Sequence, residues 1–391
     1  MAPLWPLRLL SSSSRVCLPS SFLLHRARSL RPRIGRDVLL RCFCTADQQK
    51  KLKKKLVFLG TPEVAADMLD ALLDAAQAES ASFEIGAVVT QPPSVKGRGR
   101  KQIMPSAVAE RALARNFPAS LIWSPDKASE EGFLADLKSL GPDLCVTAAY
   151  GNYLPSRFLA IPPCGTVNVH PSLLPLYRGA APVQRALLDG VKVTGVSVAY
   201  TVRAMDSGPI IASGHMDVDP DIKAPELLSL LFKKGTELLL QELPSILDGS
   251  AADKAIEQDS SLASMAPKVT VEEALLSFKE PALTLHNKVR AFSEWPGAKG
   301  RFYLQASDGK SKVIDLKIVT TRVKPPAAIG EADGVVRLID NALVVPCGER
   351  SALHILELQP PGKKIMGARD FCNGLRGHQI LIEDTVESLT H

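Results

Sequence analysis

The stretch Asn168-Val169-His170 sets an amide and an imidazole two residues apart at the carboxyl end of an expected strand. On a strand, positions i and i+2 share a face, so both side chains address one point in space. That pairing suits acyl transfer. When an amine attacks a carbonyl carbon, negative charge gathers on the oxygen, and an amide N–H and an imidazole N–H can both donate to it. The imidazole can also move the proton that the amine must lose. A carboxylate should orient the ring. Asp206, in Ala204-Met205-Asp206-Ser207-Gly208-Pro209, falls between two expected strands and is the candidate. On spacing alone, an N-x-H pair is more often a surface or core histidine, and Asp-Ser-Gly more often a turn closure.

These side chains need a sheet behind them. Leu56 to Gly60 reads as a short buried strand, and Thr61 as N-cap with Pro62 at the first helical position starts a helix through Met68, Leu69, Leu72 and Leu73. The alternation repeats. Strands are expected at 83–90, 120–123, 144–148, 165–169, 194–201 and 210–216, with helices at 105–115, 127–140, 181–188 and 225–243. Such alternation implies an α/β fold with a doubly wound, mostly parallel Rossmann-like sheet, placing His170 where open sheets bind ligands. Residues 251–267 are polar and aperiodic and read as a linker. After a mostly helical stretch at 271–292, five short strands in about 70 residues predict a smaller C-terminal OB-like open β-barrel domain.

Composition excludes several classes. Gly60-Thr61-Pro62-Glu63-Val64-Ala65 follows the first strand without the second and third glycines of a dinucleotide loop, so nicotinamide or flavin binding is not expected. The seven cysteines and seven histidines are scattered without ligand spacing, so neither a metal nor a disulfide framework is expected. No apolar run is long enough to span a membrane. The formal charge of +6 is uneven: eight arginines against Asp37 give residues 1–45 a charge of +7, which leaves the remainder near −1. That arginine- and serine-rich, acid-poor segment reads as an organellar transit peptide, removed near Phe43 to Ala46. The expected address is the mitochondrial matrix; the same composition serves a plastid. The domains are then 55–250, catalytic, and 268–391, C-terminal, joined by the linker. No dimer element is visible, so a monomer is expected.

At the candidate residues the sequence resembles a known family. Asn168-Val169-His170, Ser172-Leu173-Leu174-Pro175, Arg178-Gly179-Ala180-Ala181-Pro182, Met205-Asp206-Ser207-Gly208 and Leu59-Gly60-Thr61-Pro62 together resemble the folate-dependent formyltransferases over roughly residues 55–380. The best fit is to members whose acceptor is methionyl-tRNA. The resemblance implies an enzyme that moves the formyl group of 10-formyltetrahydrofolate, a co-substrate, to the amino group of initiator methionyl-tRNA. It implies a catalytic trio of Asn168, His170 and Asp206. The folate would lie along Tyr150, Gly151, Asn152 and Leu154, with Ser172, Leu173, Leu174 and Pro175 beside it. The methionyl side chain would touch Val64, where many relatives carry an aromatic; Pro171 stands where many have glycine.

Two basic regions fit an RNA acceptor. Lys96, Arg98, Arg100 and Lys101 put four cations within six glycine-spaced positions, a finger able to meet phosphates. The span 279–324 carries ten cations against Glu280, Glu294, Asp308 and Asp315, a local charge of +6. Lys288, Arg290, Lys299 and Arg301 are its candidate phosphate contacts. His286 reads as structural, and Trp295 as barrel core or hinge.

Overall fold

The computed structural model describes residues 53–96, 102–307, 309–324, 335–375 and 377–382. The expected transit segment 1–45 and the finger cations Arg98, Arg100 and Lys101 lie outside the described residues, as does the side chain of Lys96.

The first domain is a seven-stranded sheet. Its strands are β1 (Lys54–Gly60), β2 (Phe83–Val89), β5 (Ile122–Trp123), β6 (Leu144–Ala148), β7 (Thr166–His170), β8 (Val193–Tyr200) and β9 (Ile210–Asp217), in the order β5-β2-β1-β6-β7-β8-β9. The strands up to β7 are parallel, and β8 and β9 turn antiparallel. A small hairpin, β3 (Ser94–Lys96) and β4 (Gln102–Met104), stands apart from it. The strand order reverses between β1 and β6, so a crevice opens there at the carboxyl ends. β1 and β6 are near-continuous apolar runs because helices cover both faces.

Helix α1 (Glu63–Gln77) buries Met68, Leu69 and Leu72 on one stripe, each stabilising by about 1.5–3 kcal/mol. Its exposed stripe of Glu63, Asp67, Asp70 and Asp74 pairs with Arg111 and Arg115 of α2 (Ala107–Ala114) and the residue just after it. Thr61 does not cap α1. Its hydroxyl donates instead to the Tyr150 carbonyl at 2.8 Å, tying the loop after β1 to the loop after β6. Helices α3 (Glu131–Leu140), α4 (Ser156–Leu159) and α5 (Pro182–Leu188) follow, with α3 closed by Gly141 in the left-handed region. The long α6 (Ala224–Asp248) packs Leu227, Leu231, Leu239 and Leu243 under β7 and β8.

The expected linker is not a free tether. Helix α7 (Ser250–Lys254) and the strap after it run back across the first domain. Ile256 exchanges two backbone hydrogen bonds with Ile210, both 2.8 Å, and Arg178 is clamped between Ser264 and Ala266 at 2.8 and 2.7 Å.

The second domain begins with β10 (Leu275–Leu276) and α8 (Ala282–Ala291). It continues with β11 (Lys299–Gln305), β12 (Ser311–Val323), β13 (Val335–Ile339), β14 (Ala342–Cys347), β15 (Ser351–Gln359), β16 (Met366–Gly367), α9 (Ala368–Asn373) and β17 (Gln379–Leu381). The barrel is closed, not open: β17 pairs with β11 on one side and β13 on the other, completing the ring β11-β12-β15-β14-β13-β17. Closure leaves no unpaired edge in the ring. The 271–292 stretch is α-helical only over Ala282–Ala291, preceded by a single 3₁₀ turn at Glu272–Ala274.

The joint between the domains explains one cation and one imidazole. His286 is buried, with one ring nitrogen 2.9 Å from Thr321 Oγ1 and the other 3.0 Å from the Pro220 carbonyl. Burial pushes its pKa down, a shift the Pro220 carbonyl opposes and the Arg290 charge reinforces. Arg290 is only 5% exposed and bonds Asn287 and the Asp219 carbonyl. It is therefore a strut between domains and not the phosphate contact that its charge suggested. Lys288 pairs with Glu280 at 2.7 Å and Arg301 with Asp315 at 2.9 Å. Arg290→Ala is expected to lower stability by about 2–3 kcal/mol in chemical unfolding, since it orphans the Asn287 oxygen and the Asp219 carbonyl. A weaker RNA interaction with unchanged stability would restore the surface role. Of the two readings of Trp295, the barrel core is excluded: the side chain is 52% exposed and outside the barrel's apolar cluster.

Candidate active site

β7 brings the first pair together. Its alternate residues Val167 and Val169 face the core over α6, which turns Asn168 and His170 to the other side. Each is then fixed by a neighbour. Thr147 Oγ1, on the adjoining β6, donates to Asn168 Oδ1 at 2.8 Å. That bond commits the amide oxygen and leaves Nδ2 pointing to the site. His170 is 4% exposed, and its Nε2 lies 2.9 Å from the Tyr177 carbonyl. A carbonyl only accepts, so Nε2 carries a proton and Nδ1 faces the site.

Asp206 supplies the third corner. Its Oδ1 lies 3.5 Å from Asn168 Nδ2 and 3.8 Å from His170 Nδ1. Its Oδ2 accepts from the Gly179 N–H at 2.9 Å. One carboxylate oxygen is thus anchored to backbone and the other is shared by the two β7 side chains. Asp206 reaches this place from the turn between β8 and β9, at φ +46°. The three residues inferred from sequence are therefore one cluster, 38 positions of chain notwithstanding. A donor, a proton carrier and a carboxylate around one gap can polarise a carbonyl oxygen and take a proton from an attacking amine.

The Tyr177 backbone is held in turn. It has φ +58°, its N–H donates to Ser264 Oγ at 2.8 Å, and its hydroxyl donates to Asp189 at 2.8 Å. Gly179, at φ +129°, passes so close to the strap that a Cβ would meet the Ala266 carbonyl oxygen at 2.6 Å. The strap residue Gln258 touches both Arg178 and the Asp206 turn, and sequence reading missed it. A lone glutamine in an aperiodic polar stretch gives no signal of its own.

The remaining candidates divide. The loop Ala149–Pro155 lies at the crevice between β1 and β6, with Ala149 and Gly151 exposed and in the left-handed region. Its Tyr150 carbonyl is taken by Thr61 and Gln91. The Tyr150 ring is buried beside Val57, Leu59 and Phe133, so it can contribute only backbone to a ligand. Leu154 packs in the same cluster, and Asn152 donates to the Asp126 carbonyl at 3.2 Å. Ser172 is 0% exposed and its hydroxyl donates to the Leu176 carbonyl at 2.6 Å, so it shapes the loop rather than meeting a ligand. Leu174 is buried, its N–H donating to Ser197 Oγ at 3.0 Å; Leu173 and Pro175 are half-buried. Val64 is half-buried on α1, one turn from the β1 crevice.

Comparison with known proteins places both domains. Residues 54–243 match the model of the formyl transferase family, and residues 268–376 that of its C-terminal domain. Among curated relatives, a methionyl-tRNA formyltransferase of Nitrosococcus oceani is 38% identical, covering 81% of this chain and 92% of its own. Another, from Moorella thermoacetica, is 37% identical over 82% of this chain and 96% of its own. Among solved structures, the sugar 3N-formyl transferase WlaRD, crystallised with dTDP and 5-N-formyl-THF, shares the fold at TM-score 0.54 and 17% identity, covering 80% of this chain and 99% of its own.

Proposed function

Because this chain belongs to the formyl transferase family, we propose that it transfers the formyl group of 10-formyltetrahydrofolate to the amino group of initiator methionyl-tRNA. The observation that carries this reading is the convergence of Asn168 Nδ2 and His170 Nδ1 on Asp206 Oδ1. The acceptor rests on the relatives that match both domains and on the basic finger around Arg98.

The residues fit the folate co-substrate. The crevice at the strand-order reversal is bordered by a loop whose exposed backbone at Ala149 and Gly151 can lie against a planar ring, and Asn168 and His170 stand on the next strand with Asp206 facing them from the turn after β8. Bound there, the folate supplies an activated formyl group. Asn168 Nδ2 donates to the formyl oxygen as the methionyl amine adds to its carbon and the C–N bond forms. His170, held by Tyr177 through its Nε2–H, takes up the amine's proton on Nδ1 by way of Asp206, and as the imidazolium it becomes a second donor to that oxygen. The same proton passes on to the folate nitrogen, which leaves as the old C–N bond breaks. Val64 provides apolar contact for the methionyl side chain.

Arg98 and its neighbours Lys96, Arg100 and Lys101 contact phosphates near the acceptor end, and Lys288 makes a further phosphate contact. Arg98→Ala is expected to raise KM for methionyl-tRNA about tenfold with kcat nearly unchanged, and to flatten the salt dependence of KM. An unchanged KM and salt slope would remove the finger from RNA binding. Residues 1–45 act as the address for the mitochondrial matrix, where the enzyme works as a monomer. Fusion of that segment to a fluorescent reporter is expected to carry it into mitochondria; a cytosolic or plastid signal would contradict the address.

A further inference from the structure

The Asp206 turn is held from outside its own sheet by one side chain. Gln258 Nε2 donates to the Asp206 carbonyl at 2.9 Å and to the Gly208 carbonyl at 2.7 Å. Its Oε1 accepts from Arg178 Nε and Nη2 at 3.0 and 2.7 Å. Arg178 is buried, so this pairing takes place largely away from water. Gln258 itself is fixed by the strap, whose ends are sewn to Ile210 and Arg178 through backbone bonds.

The chemistry asks for a primary amide. The position must accept from a guanidinium and donate two protons to two carbonyls at once. A neutral amide does both; an ionised carboxylate of the same length could meet Arg178 but would turn an anion on both carbonyl oxygens. Asp206 needs such a hold, because a non-glycine residue at φ +46° is costly without surroundings that impose it. The strap also steadies the partner of His170, since Ser264 Oγ accepts from the Tyr177 N–H.

We propose that Gln258 is a positioning residue for formyl transfer: it sets the Asp206 carboxylate against Asn168 and His170. The strap between the two domains thereby becomes part of the active-site scaffold. This rests on the catalytic role of Asp206 argued above.

The test uses the full chain, with 10-formyltetrahydrofolate and methionyl-tRNA, in a double-mutant cycle of Gln258→Glu and Asp206→Ala. Gln258→Glu keeps a partner for Arg178 but gives up both carbonyl bonds, so the chain is expected to fold with a thermal midpoint lowered by about 2–8 °C. Its kcat is expected to fall about 30-fold with both KM values within about twofold, as for a misplaced catalytic group. In the Asp206→Ala background the same change is expected to cost less than about twofold, because the group it positions is gone. Gln258→Asn, which retains the donors on a shorter arm, is expected to lie between wild type and Gln258→Glu. A wild-type kcat in Gln258→Glu, or an equal loss in both backgrounds, would overturn the positioning role. Full turnover in Asp206→Ala alone would overturn the trio itself, and the inference with it.

Discussion

His170→Ala is expected to lower kcat about 10³-fold, while KM for methionyl-tRNA stays within about threefold. The residue combines two tasks. Its Nε2–H is spent on the Tyr177 carbonyl at 2.9 Å, which fixes the ring, and its Nδ1 faces the carboxylate. Alanine removes the second oxyanion donor and the proton path together. Alanine also leaves the Tyr177 carbonyl without its partner, so a stability loss of about 1–2 kcal/mol should accompany the kinetic one. His170→Gln separates the two effects, since its amide nitrogen reaches the place of Nε2 and can still donate to that carbonyl but cannot carry a proton. Steady-state kinetics with unfolding curves on both variants checks this; a kcat for His170→Gln within tenfold of wild type would place His170 outside the chemistry.

The second large effect lies at Gly179. Alanine there is expected to cost about 3 kcal/mol and to reduce kcat at least 30-fold, although Gly179 has no side chain to react. A Cβ would lie 2.6 Å from the Ala266 carbonyl oxygen, an atom of the backbone that cannot swing away. The strap must shift, and with it the Gly179 N–H that anchors Asp206 at 2.9 Å. Gly249 is the control. It also has positive φ, at +88°, but nothing lies near its missing Cβ, so Gly249→Ala should show only backbone strain of about 1 kcal/mol and full kcat. Equal behaviour of the two variants would mean that crowding at the strap does not govern the site.

The pairing of Asn168 with His170 was legible because it obeys a local rule. Asn168 and His170 share a face through strand periodicity, and β7 ends where its apolar alternation ends. Asp206 could be inferred only as a turn between strands. Its approach to β7 depends on β8 returning antiparallel, which no short-range pattern encodes. The parallel sheet followed from the alternation of apolar strands and helices. Barrel closure did not, because β17, which closes the ring between β11 and β13, is three residues long and too short to show a period.

The segment 251–267 does join the two domains, but its docking on the first was not legible. Its hold is made of backbone bonds, the Gln258 amide and the Ser264 hydroxyl, and none of these leaves a hydrophobic period. Arg290 was misread because charge was counted without geometry. It stands four residues after His286 on a helix, hence on the same inward stripe, and that spacing was a usable signal. Ser172 and Tyr150 sit in motifs of the family, yet one hydroxyl and one ring are buried in the scaffold, so motif membership marked the loop and not the contact.

The most direct measurement is formation of formylmethionyl-tRNA by the full chain supplied with 10-formyltetrahydrofolate and charged initiator tRNA, with Asp206→Ala alongside. The account predicts rapid product with the wild-type chain and a loss of about 10²–10⁴ in kcat with the variant. Formyl release to water or to a small amine such as glycinamide ribonucleotide, with none to methionyl-tRNA, would contradict the acceptor; equal rates from wild type and Asp206→Ala would contradict the site.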